Sequence, residues 1–258
     1  MSDAFHRLVE VMHRLRRECP WDREQTSRSI LPYLIEETYE VLEAIEDGDP
    51  AEVRAELGDL LLQVLFHSEL AKERGEFDVW DVAETITEKM IRRHPHVFAG
   101  ADVANADAVL AQWSRIKRAE RTAEAGEASV LDGAPRSLPA LLRAERLGEK
   151  ASRVGFDWPS AAAVLDKVRE ELAELDAAIA EGKPERVEAE LGDLLFALAS
   201  FGRRAGTSAE LALGRALQRF EGRFRAVERA VAASGRDIHD LTPEDLEAHW
   251  QQVKLTEL

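Results

Sequence analysis

The sequence predicts an all-α fold, and three observations support this prediction. Alanine, leucine, glutamate and arginine dominate the 258 residues, while aromatic residues make up only 6%, and such a composition favours helices. Apolar residues recur at spacings of three and four, as on one face of a helix. No stretch shows the period-two alternation of a half-buried strand. We therefore expect helical domains like four-helix bundles, in which short loops place consecutive helices antiparallel.

The first half of the chain divides into five predicted helices. The segment Cys19-Pro20-Trp21-Asp22 breaks the first helix, and Gly48-Asp49-Pro50 forms a turn between the second and third. Asp78 is placed to cap the fourth helix, which His94-Pro95 ends. The five helices cover residues 4–17, 29–46, 51–74, 78–93 and 105–124. The residues expected to face inward on the first three are Phe5, Leu8, Val9, Met12 and Leu15, then Leu34, Ile35, Thr38, Leu42 and Ile45, then Val53, Leu57, Leu60, Leu61, Val64 and Leu65.

The second half repeats this organisation after a segment with linker composition. Residues 126–137 are rich in Gly, Ala and Ser and contain Pro135, which is typical of a linker. The predicted domains are therefore residues 1–125 and 138–258. The predicted helices of the second domain cover residues 138–151, 160–181, 184–205, 207–234 and 243–256.

The two halves are copies of one unit. The stretch Val53-Arg-Ala-Glu-Leu-Gly-Asp-Leu-Leu-Leu62 returns 134 positions later as Val187-Glu-Ala-Glu-Leu-Gly-Asp-Leu-Leu-Phe196. The same offset carries Glu36-Glu37-Thr-Tyr-Glu40 onto Glu170-Glu171-Leu-Ala-Glu174. A fixed offset without a gap indicates a duplication. What the copies share most strictly is a set of five carboxylates.

The shared carboxylates lie on two neighbouring predicted helices. Glu36, Glu37 and Glu40 project close together from one helix, and Glu56 and Asp59 from the next. The intervening turn makes the helices antiparallel, so their acidic faces can meet. Two like charges at ~4 Å cost about 4 kcal/mol at an effective dielectric near 20. A bound divalent cation would reverse the sign of that energy.

A solvated acidic surface is the alternative explanation of these acids. The duplication speaks against it, because the acids are kept while their neighbours change: Glu52 becomes Arg186, and Gln63 becomes Ala197. Asp193 also opens the apolar run Leu194–Phe201, which predicts a buried helix whose edge carboxylate needs a paired cation. Both points favour a metal site.

The residue types of the cluster indicate which metal would bind there. Zinc would require His or Cys, and a di-iron bundle would require paired Glu-x-x-His motifs. Only Glu10-x-x-His13 has that spacing, and it lies outside the repeat. An oxygen-only set favours Mg²⁺, with Mn²⁺ as a possible substitute. Mg²⁺ held by carboxylates most often serves a phosphate substrate.

Basic residues could hold the phosphates of such a substrate. Lys89 and Arg93 in the first copy are four residues apart, as are Arg219 and Arg223 in the second, and Arg186 is a further candidate. Surface ion pairs explain these residues equally well.

Both copies also end in a related segment, with Trp113 in the first and Trp250 in the second. Each indole could stack on a base, although a tryptophan on a helix more often belongs to the core.

These motifs together resemble the MazG family of bacterial nucleoside triphosphate pyrophosphohydrolases. The resemblance spans nearly the whole chain and rests on five segments. They are Cys-Pro-Trp-Asp at 19–22, Glu-Glu-x-x-Glu at 36–40, Glu-Leu-Gly-Asp at 56–59, Arg-Arg-His-Pro-His-Val-Phe at 92–98, and the second copy. It implies tandem all-α domains completed by homodimerisation. It also implies Mg²⁺-dependent hydrolysis of ribo- and deoxyribonucleoside triphosphates to monophosphate and pyrophosphate, in the control of nucleotide pools.

The resemblance also assigns roles to individual residues. The implied Mg²⁺ ligands are Glu37, Glu40, Glu56 and Asp59 in the first copy, and Glu171, Glu174, Glu190 and Asp193 in the second. Glu36 and Glu170 would assist the metal or the attacking water, so that the catalytic set is Glu36, Glu37, Glu170 and Glu171. Arg219 and Arg223 would bind phosphate and Trp250 the nucleotide. The family commonly has Lys where Arg219 stands, and its tandem members rely chiefly on the C-terminal copy, although the acids of the first copy here are complete.

Charge and composition restrict the other possible functions. A net charge of −16 disfavours nucleic-acid binding, which needs Lys and Arg to neutralise phosphates. No apolar run reaches the ~18 residues of a membrane span, and the single Cys19 allows no intramolecular disulfide, so we expect a cytoplasmic protein. Two rival functions stay open: a metal-dependent nucleotide sensor without hydrolysis, and a helical scaffold whose acids bind basic partners.

Overall fold

The protein is built from α-helices in two compact units. A computed structural model describes residues 2–102, 104–125 and 129–256, and these ranges contain no β-strand. Unit 1 is Met1–Lys117 and unit 2 is Arg118–Leu258. The all-α prediction is confirmed. Residues 126–128 of the predicted linker lie outside the described residues, and the predicted domain limits stay a prediction.

Unit 1 contains two short helices that the sequence patterns did not predict. Pro20 and Pro95, which were expected only to break helices, each begin a new one. Proline fits the first turn of a helix, where its missing N–H would have had no partner. The helices that begin in unit 1 are α1 (Ser2–Glu18), α2 (Pro20–Glu24), α3 (Leu31–Asp47), α4 (Pro50–Glu73), α5 (Val79–Arg93), α6 (Pro95–Phe98) and α7 (Ala106–Ala125), the last of which crosses into unit 2.

The core of unit 1 lies where α1, α4 and α5 meet. The buried residues of this core are Val9, Met12, Ile30, Leu65, Phe66, Leu70 and Val79. Phe5, Leu8 and Leu15 pack against them, so the inward face predicted for residues 4–17 is confirmed. Asp78 accepts hydrogen bonds from the backbone N–H groups of Trp80 and Asp81 at the start of α5, as predicted.

The turn between α3 and α4 fixes the register of the acidic faces. Gly48 ends α3 in the left-handed region at φ 80°, which an L side chain rarely adopts. The Asp49 side chain then accepts a hydrogen bond of 2.8 Å from the backbone N–H of Ala51, and Pro50 occupies the first turn of α4. These caps end α3 and begin α4 within a short turn, so the two helices form a hairpin.

Several apolar residues predicted to face inward on this hairpin are exposed, which corrects the prediction. Leu65 is buried, but Ile45 is 59% exposed. Among the described elements α3 packs mainly against α4, and Trp21 of α2 makes a ring contact with Tyr33, so only part of the surface of α3 is covered within the chain. The other residues of the predicted inward set that are exposed are Ile35, Thr38, Leu57, Leu61 and Val64.

Unit 2 repeats the helical hairpin. Its long helices, α9 (Ala161–Glu181) and α10 (Pro184–Ala205), join at Gly182, which has φ 67°, and at Pro184. Gly202 passes close to the next connection, because a Cβ there would lie 3.0 Å from the backbone oxygen of Thr207. The helices are α8 (Ala140–Ser152), α9 (Ala161–Glu181), α10 (Pro184–Ala205), α11 (Ala209–Ala233) and α12 (Pro243–Thr256), with a short 3₁₀ helix, Ile238–Asp240, that was not predicted.

A partly buried ion pair holds the segment before α9 against α10. Arg203 donates from Nη1 to Oδ2 of Asp157 at 3.1 Å and also contacts Oδ1, while Arg204 reaches the Pro159 carbonyl at 3.0 Å. Gly148 of α8 leaves room for Arg203, whose Nε would lie 3.2 Å from a Cβ at that position. This anchor fixes where α9 begins, and therefore where its acids lie.

No helix among the described residues combines the length and apolar character needed to cross a membrane.

Candidate metal centre

Each unit gathers three glutamates where its two hairpin helices face each other. In unit 1, cluster 1 consists of Glu37 and Glu40 from α3 and Glu56 from α4. In unit 2, cluster 2 consists of Glu171, Glu174 and Glu190 from α9 and α10. Within each cluster, one carboxylate oxygen of every residue lies within 4.8 Å of the others. The duplicated sequence has thus produced the same arrangement of acids twice.

The remaining predicted acids stand outside these groups. Glu36, Asp59, Glu170 and Asp193 are exposed and are not among the oxygens within 4.8 Å of one another. Asp59 is nevertheless near enough to cluster 1 for its charge to help raise the pKa of Glu37.

The expectation that Asp193 borders a buried helix is wrong for this chain. Ala197, Ala199 and Ser200 of α10 are buried, whereas Phe196 is 41% exposed and Asp193 itself faces solvent. The apolar run is therefore only partly packed within the chain. Burial of Asp193 gives no argument for a cation.

Cluster 1 is electrostatically strained. Desolvation raises the pKa of Glu37, and the charges of Asp59 and Glu40 raise it further. Desolvation and the charges of Glu40 and Asp59 likewise raise the pKa of Glu56. In the described part of the chain, no Lys or Arg forms an ion pair with these carboxylates. A hard divalent cation would relieve this repulsion, so the donor set fits Mg²⁺.

Cluster 2 has the same acids but contains its own cations. The Lys167 Nζ lies 2.7 Å from a carboxylate oxygen of Glu170 and 2.7 Å from one of Glu171, and these bonds raise the pKa of Lys167. Arg186 Nη2 lies 3.2 Å from Glu190 Oε1. Glu171 is only 6% exposed, so its pairing with Lys167 offsets the cost of burying its charge.

Lys167 is a site residue that the sequence analysis missed. Its spacing of three to Glu170 and of four to Glu171 places the three side chains on one face of α9, and this signal could have identified it. The duplication hides it, because the first copy has Tyr33 at the corresponding position. Arg186 similarly corresponds to Glu52, so the two clusters differ in charge.

The other basic residues that were predicted to bind phosphate lie on helices outside the two hairpins. Lys89 and Arg93 are on α5, and the Arg93 guanidinium lies over the Trp113 ring at 5.2 Å. Arg219 and Arg223 are on α11. In the described residues, no hydrogen bond or ion pair joins these four cations to the cluster carboxylates.

Trp250 is half-buried on α12, with its ring centroid 5.4 Å from that of Phe220. Phe220 in turn stacks on Phe224 at 6.0 Å. Trp250 is therefore part of an aromatic group that keeps some exposed surface.

Known proteins share both the motifs and the length of this chain. A sequence model described as the MazG nucleotide pyrophosphohydrolase domain matches residues 25–98 and 160–227, which together span more than half of the chain. A protein of Escherichia coli (strain K12) named nucleoside triphosphate pyrophosphohydrolase is 48% identical over 261 residues, covering 99% of each chain.

A protein of Thermotoga maritima named nucleoside triphosphate pyrophosphohydrolase/pyrophosphatase MazG is 41% identical over 256 residues, covering 97% of this chain and 95% of that protein. The crystal structure of a MazG-related protein from Thermotoga maritima is 27% identical, with a TM-score of 0.40, and covers 44% of this chain and 98% of its own. The resemblance predicted from the sequence motifs is confirmed by the domain match and the full-length relatives. The chain belongs to the MazG nucleotide pyrophosphohydrolase family and carries the family's domain twice.

Proposed function

We propose that the chain hydrolyses nucleoside triphosphates, both ribo- and deoxyribo-, to the monophosphate and pyrophosphate with Mg²⁺. The observation that carries the proposal is the pair of carboxylate clusters at the same register in both copies. The names of the full-length relatives in Escherichia coli and Thermotoga maritima support the same activity.

The carboxylates of the two clusters are the residues that would hold the metal. Cluster 1 with Asp59 and cluster 2 with Asp193 each supply four oxygen-donor side chains, which suits Mg²⁺, or Mn²⁺ in its place. When bound, the cation offsets the negative charge of the triphosphate oxygens and the charge that develops on them during hydrolysis.

The attacking water is oriented by the first glutamate of each Glu-Glu-x-x-Glu motif. In unit 2 an oxygen of Glu170 and an oxygen of Glu171 lie 2.7 Å from the same Lys167 ammonium. Glu170 is therefore held beside the cluster, where it can accept a proton from water. Glu36 would have this role in unit 1.

Phosphate binding falls to the basic residues and nucleotide contact to Trp250. Arg186, Arg219 and Arg223 serve unit 2, and Lys89 and Arg93 are the corresponding candidates in unit 1. Guanidinium groups bind phosphate oxygens through paired hydrogen bonds.

Unit 2 is the better equipped of the two sites. Lys167 and Arg186 stand directly beside its carboxylates, and a triphosphate needs such cations. Tyr33 and Glu52 occupy the corresponding positions in unit 1. We therefore assign the main turnover to unit 2.

A product analysis tests the proposed activity. The chain is incubated with Mg²⁺ and each of the common ribo- and deoxyribonucleoside triphosphates, and the products are separated. Monophosphate and pyrophosphate without diphosphate are expected. Diphosphate with orthophosphate would mean that a different bond is cut, and Mg²⁺-dependent binding without any product would replace the enzyme by a nucleotide sensor.

The same proposal includes a homodimer of chains with domains 1–125 and 138–258 joined by the linker 126–137. Apolar side chains are exposed on α3 and α4 in unit 1 and on α10 in unit 2, which supports it, because exposed apolar surface commonly marks an interface. Light scattering after size-exclusion chromatography should give twice the 28.8 kDa of one chain. A monomeric mass at micromolar concentration would contradict the dimer. Cytoplasmic location stays a prediction.

A further inference from the structure

His13 of α1 connects two residues of α4 in a row of three hydrogen-bonding groups. The His13 Nδ1 lies 2.6 Å from Oε2 of Glu69, and the His13 Nε2 lies 3.2 Å from Nζ of Lys72. Glu69 and Lys72 are three residues apart on α4, which places them on one face of the helix. The row therefore consists of a carboxylate, an imidazole and an amine, in that order.

The bonding in this row determines which imidazole nitrogen carries the proton. An ammonium group only donates hydrogen bonds, so Nε2 of His13 accepts the bond from Lys72. Nδ1 then carries the proton and donates a hydrogen bond to Glu69, which fixes the orientation of the ring. Glu69 thus holds the lone pair of Nε2 toward the nitrogen of Lys72.

The imidazole and the carboxylate are shielded from solvent, whereas Lys72 is exposed. The side chains of His13 and Glu69 are 22% and 15% exposed, and Lys72 lies at the surface. All three line a cavity of about 10 Å³, which has room for about one water molecule. Asp78 is the other charged residue that lines this cavity, and its carboxylate already accepts two backbone N–H groups of α5. The cavity therefore holds little water to compete with Lys72 for the imidazole.

Lys72 differs from three other lysines in the group that accepts its hydrogen bond. Lys167 and Lys183 contact carboxylates at 2.7 and 3.2 Å, and Lys150 donates to the carbonyl of Asp132 at 2.8 Å. Near neutral pH an imidazole readily accepts a proton, whereas a carboxylate or a carbonyl does not. A nucleophile bonded to a base that a third group orients is the arrangement by which proteins activate weak nucleophiles.

The row lies away from cluster 1 and is not shared by the two copies. Lys72 follows Glu56 by 16 positions on the same helix, which is about 24 Å along its axis at about 1.5 Å per residue. In unit 2, Arg203 and Gly206 stand at the positions of Glu69 and Lys72. The row therefore belongs neither to the proposed metal centre nor to the part of the sequence that both copies keep.

We propose that Lys72 is an acylation site, at which an acyl thioester transfers its acyl group to Nζ with His13 as the general base. The ammonium first loses one proton to solvent, and the neutral amine attacks the carbonyl carbon of the thioester. A bond forms between Nζ and this carbon, and the carbon–sulfur bond breaks. The second proton passes from Nζ through Nε2 of His13 to the departing thiolate, while Glu69 stabilises the transient imidazolium. The products are an amide at Lys72 and a free thiol, and the inference does not depend on the proposed hydrolysis of triphosphates.

The test measures how fast individual lysines of the full chain react with acetyl-coenzyme A. The chain is incubated with this thioester at about pH 8, where imidazole is neutral, and the initial rate at each lysine is measured by mass spectrometry of digested samples. Lys183 is the internal reference, because it is exposed and contacts the carboxylate of Glu181 instead of a base. Lys72 should react at least about 10-fold faster than Lys183, since a positioned general base typically contributes about 10²- to 10⁴-fold. Equal rates at the two lysines overturn the proposal.

The role of His13 is tested by His13→Gln, whose amide oxygen can accept a hydrogen bond from Lys72 but cannot carry away its proton. The acetylation rate at Lys72 should fall to that at Lys183, and circular dichroism should show the variant folded. A folded His13→Gln chain in which Lys72 keeps its advantage overturns the role of His13.

The unmodified sequence supplies a second test should His13→Gln not fold. Lowering the pH from about 8 to about 5 slows acetylation at every lysine, because more of each amine is protonated. The ratio of the rate at Lys72 to the rate at Lys183 should also fall, because an imidazole that is already protonated cannot accept a further proton. A ratio that stays constant over this range overturns the role of His13 as the base.

Discussion

Glu171 is the carboxylate on which the chemistry of unit 2 depends most. It is buried, it belongs to cluster 2, and Lys167 is bonded to it. Glu171→Gln keeps the shape of the side chain and removes its charge. We expect pyrophosphate release to fall by more than about 100-fold, since even groups outside the metal ligands are worth 10- to 100-fold at such sites.

The matched variant Glu37→Gln removes the corresponding charge from unit 1. Because unit 1 has Tyr33 and Glu52 in place of the cations of unit 2, we expect a much smaller loss of turnover. Circular dichroism should show both variants folded. Near-normal turnover in the double variant would eliminate the carboxylate clusters as the site.

Asp157 links the stability of unit 2 to pH. The hydrogen bond from Arg203 lowers the pKa of Asp157 below its ordinary value of 3.8. A carboxylate with a depressed folded-state pKa stabilises the fold above its unfolded pKa, and this contribution is lost as the pH falls through the folded value. Asp157→Asn should therefore lower the free energy of unfolding by about 2 kcal/mol at pH 7 and by progressively less as the pH falls below that ordinary value.

Urea denaturation at neutral pH and at a pH below the ordinary pKa of aspartate measures both effects. Asp166→Asn is the control, because Asp166 pairs with Arg169 on the exposed surface of α9, where ion pairs contribute little. A loss in Asp157→Asn that does not change between the two pH values would contradict the assigned role of the ion pair.

At the scale of helices, the turns that join the acidic faces can be tested by their glycines. Gly182 ends α9 at φ 67°, and a Cβ at this residue would meet open space, so Gly182→Ala adds backbone strain without a clash. We expect a loss of about 1 kcal/mol in unfolding free energy. Gly214 lies inside α11, also with open space, and Gly214→Ala should stabilise by about 0.5–1 kcal/mol. Chemical denaturation of both variants measures the two changes in unfolding free energy. Equal changes in the two variants would contradict the argument.

The helices also show what the sequence could and could not predict. Periodicity and breaker residues predicted the long helices, and the spacing of the acids predicted which of them could lie close together. Which apolar face is covered could not be predicted, because Ile45 and Leu65 fit the same helical pattern but only Leu65 is buried within the chain. The spacing of Lys167 to Glu170 and Glu171 could have identified it as a neighbour of the acids, but spacing does not show that Glu171 is buried, and the importance of the ion pair depends on that burial.

For the whole molecule, the duplication has preserved the acids, whereas the residues beside them differ between the two copies. Unit 2 has Lys167 and Arg186 beside its cluster, while unit 1 has Tyr33 and Glu52 at these positions. If these neighbours decide which copy turns over substrate, transferring them should move activity between copies. The starting point is a chain in which Glu171→Gln has disabled unit 2.

Adding Tyr33→Lys and Glu52→Arg to that chain places a lysine and an arginine beside cluster 1. We expect pyrophosphate release to rise by about 10-fold over Glu171→Gln alone, the equivalent of one charge-assisted hydrogen bond of about 1.5 kcal/mol. The control is Tyr33→Met with Glu52→Gln, which makes the same positions neutral and also removes the edge contact between Tyr33 and Trp21. A folded Lys/Arg variant no more active than this control would mean that the neighbouring cations do not decide between the copies. The difference would then have to lie in α5 and α11, which carry Lys89 and Arg93 in one unit and Arg219 and Arg223 in the other.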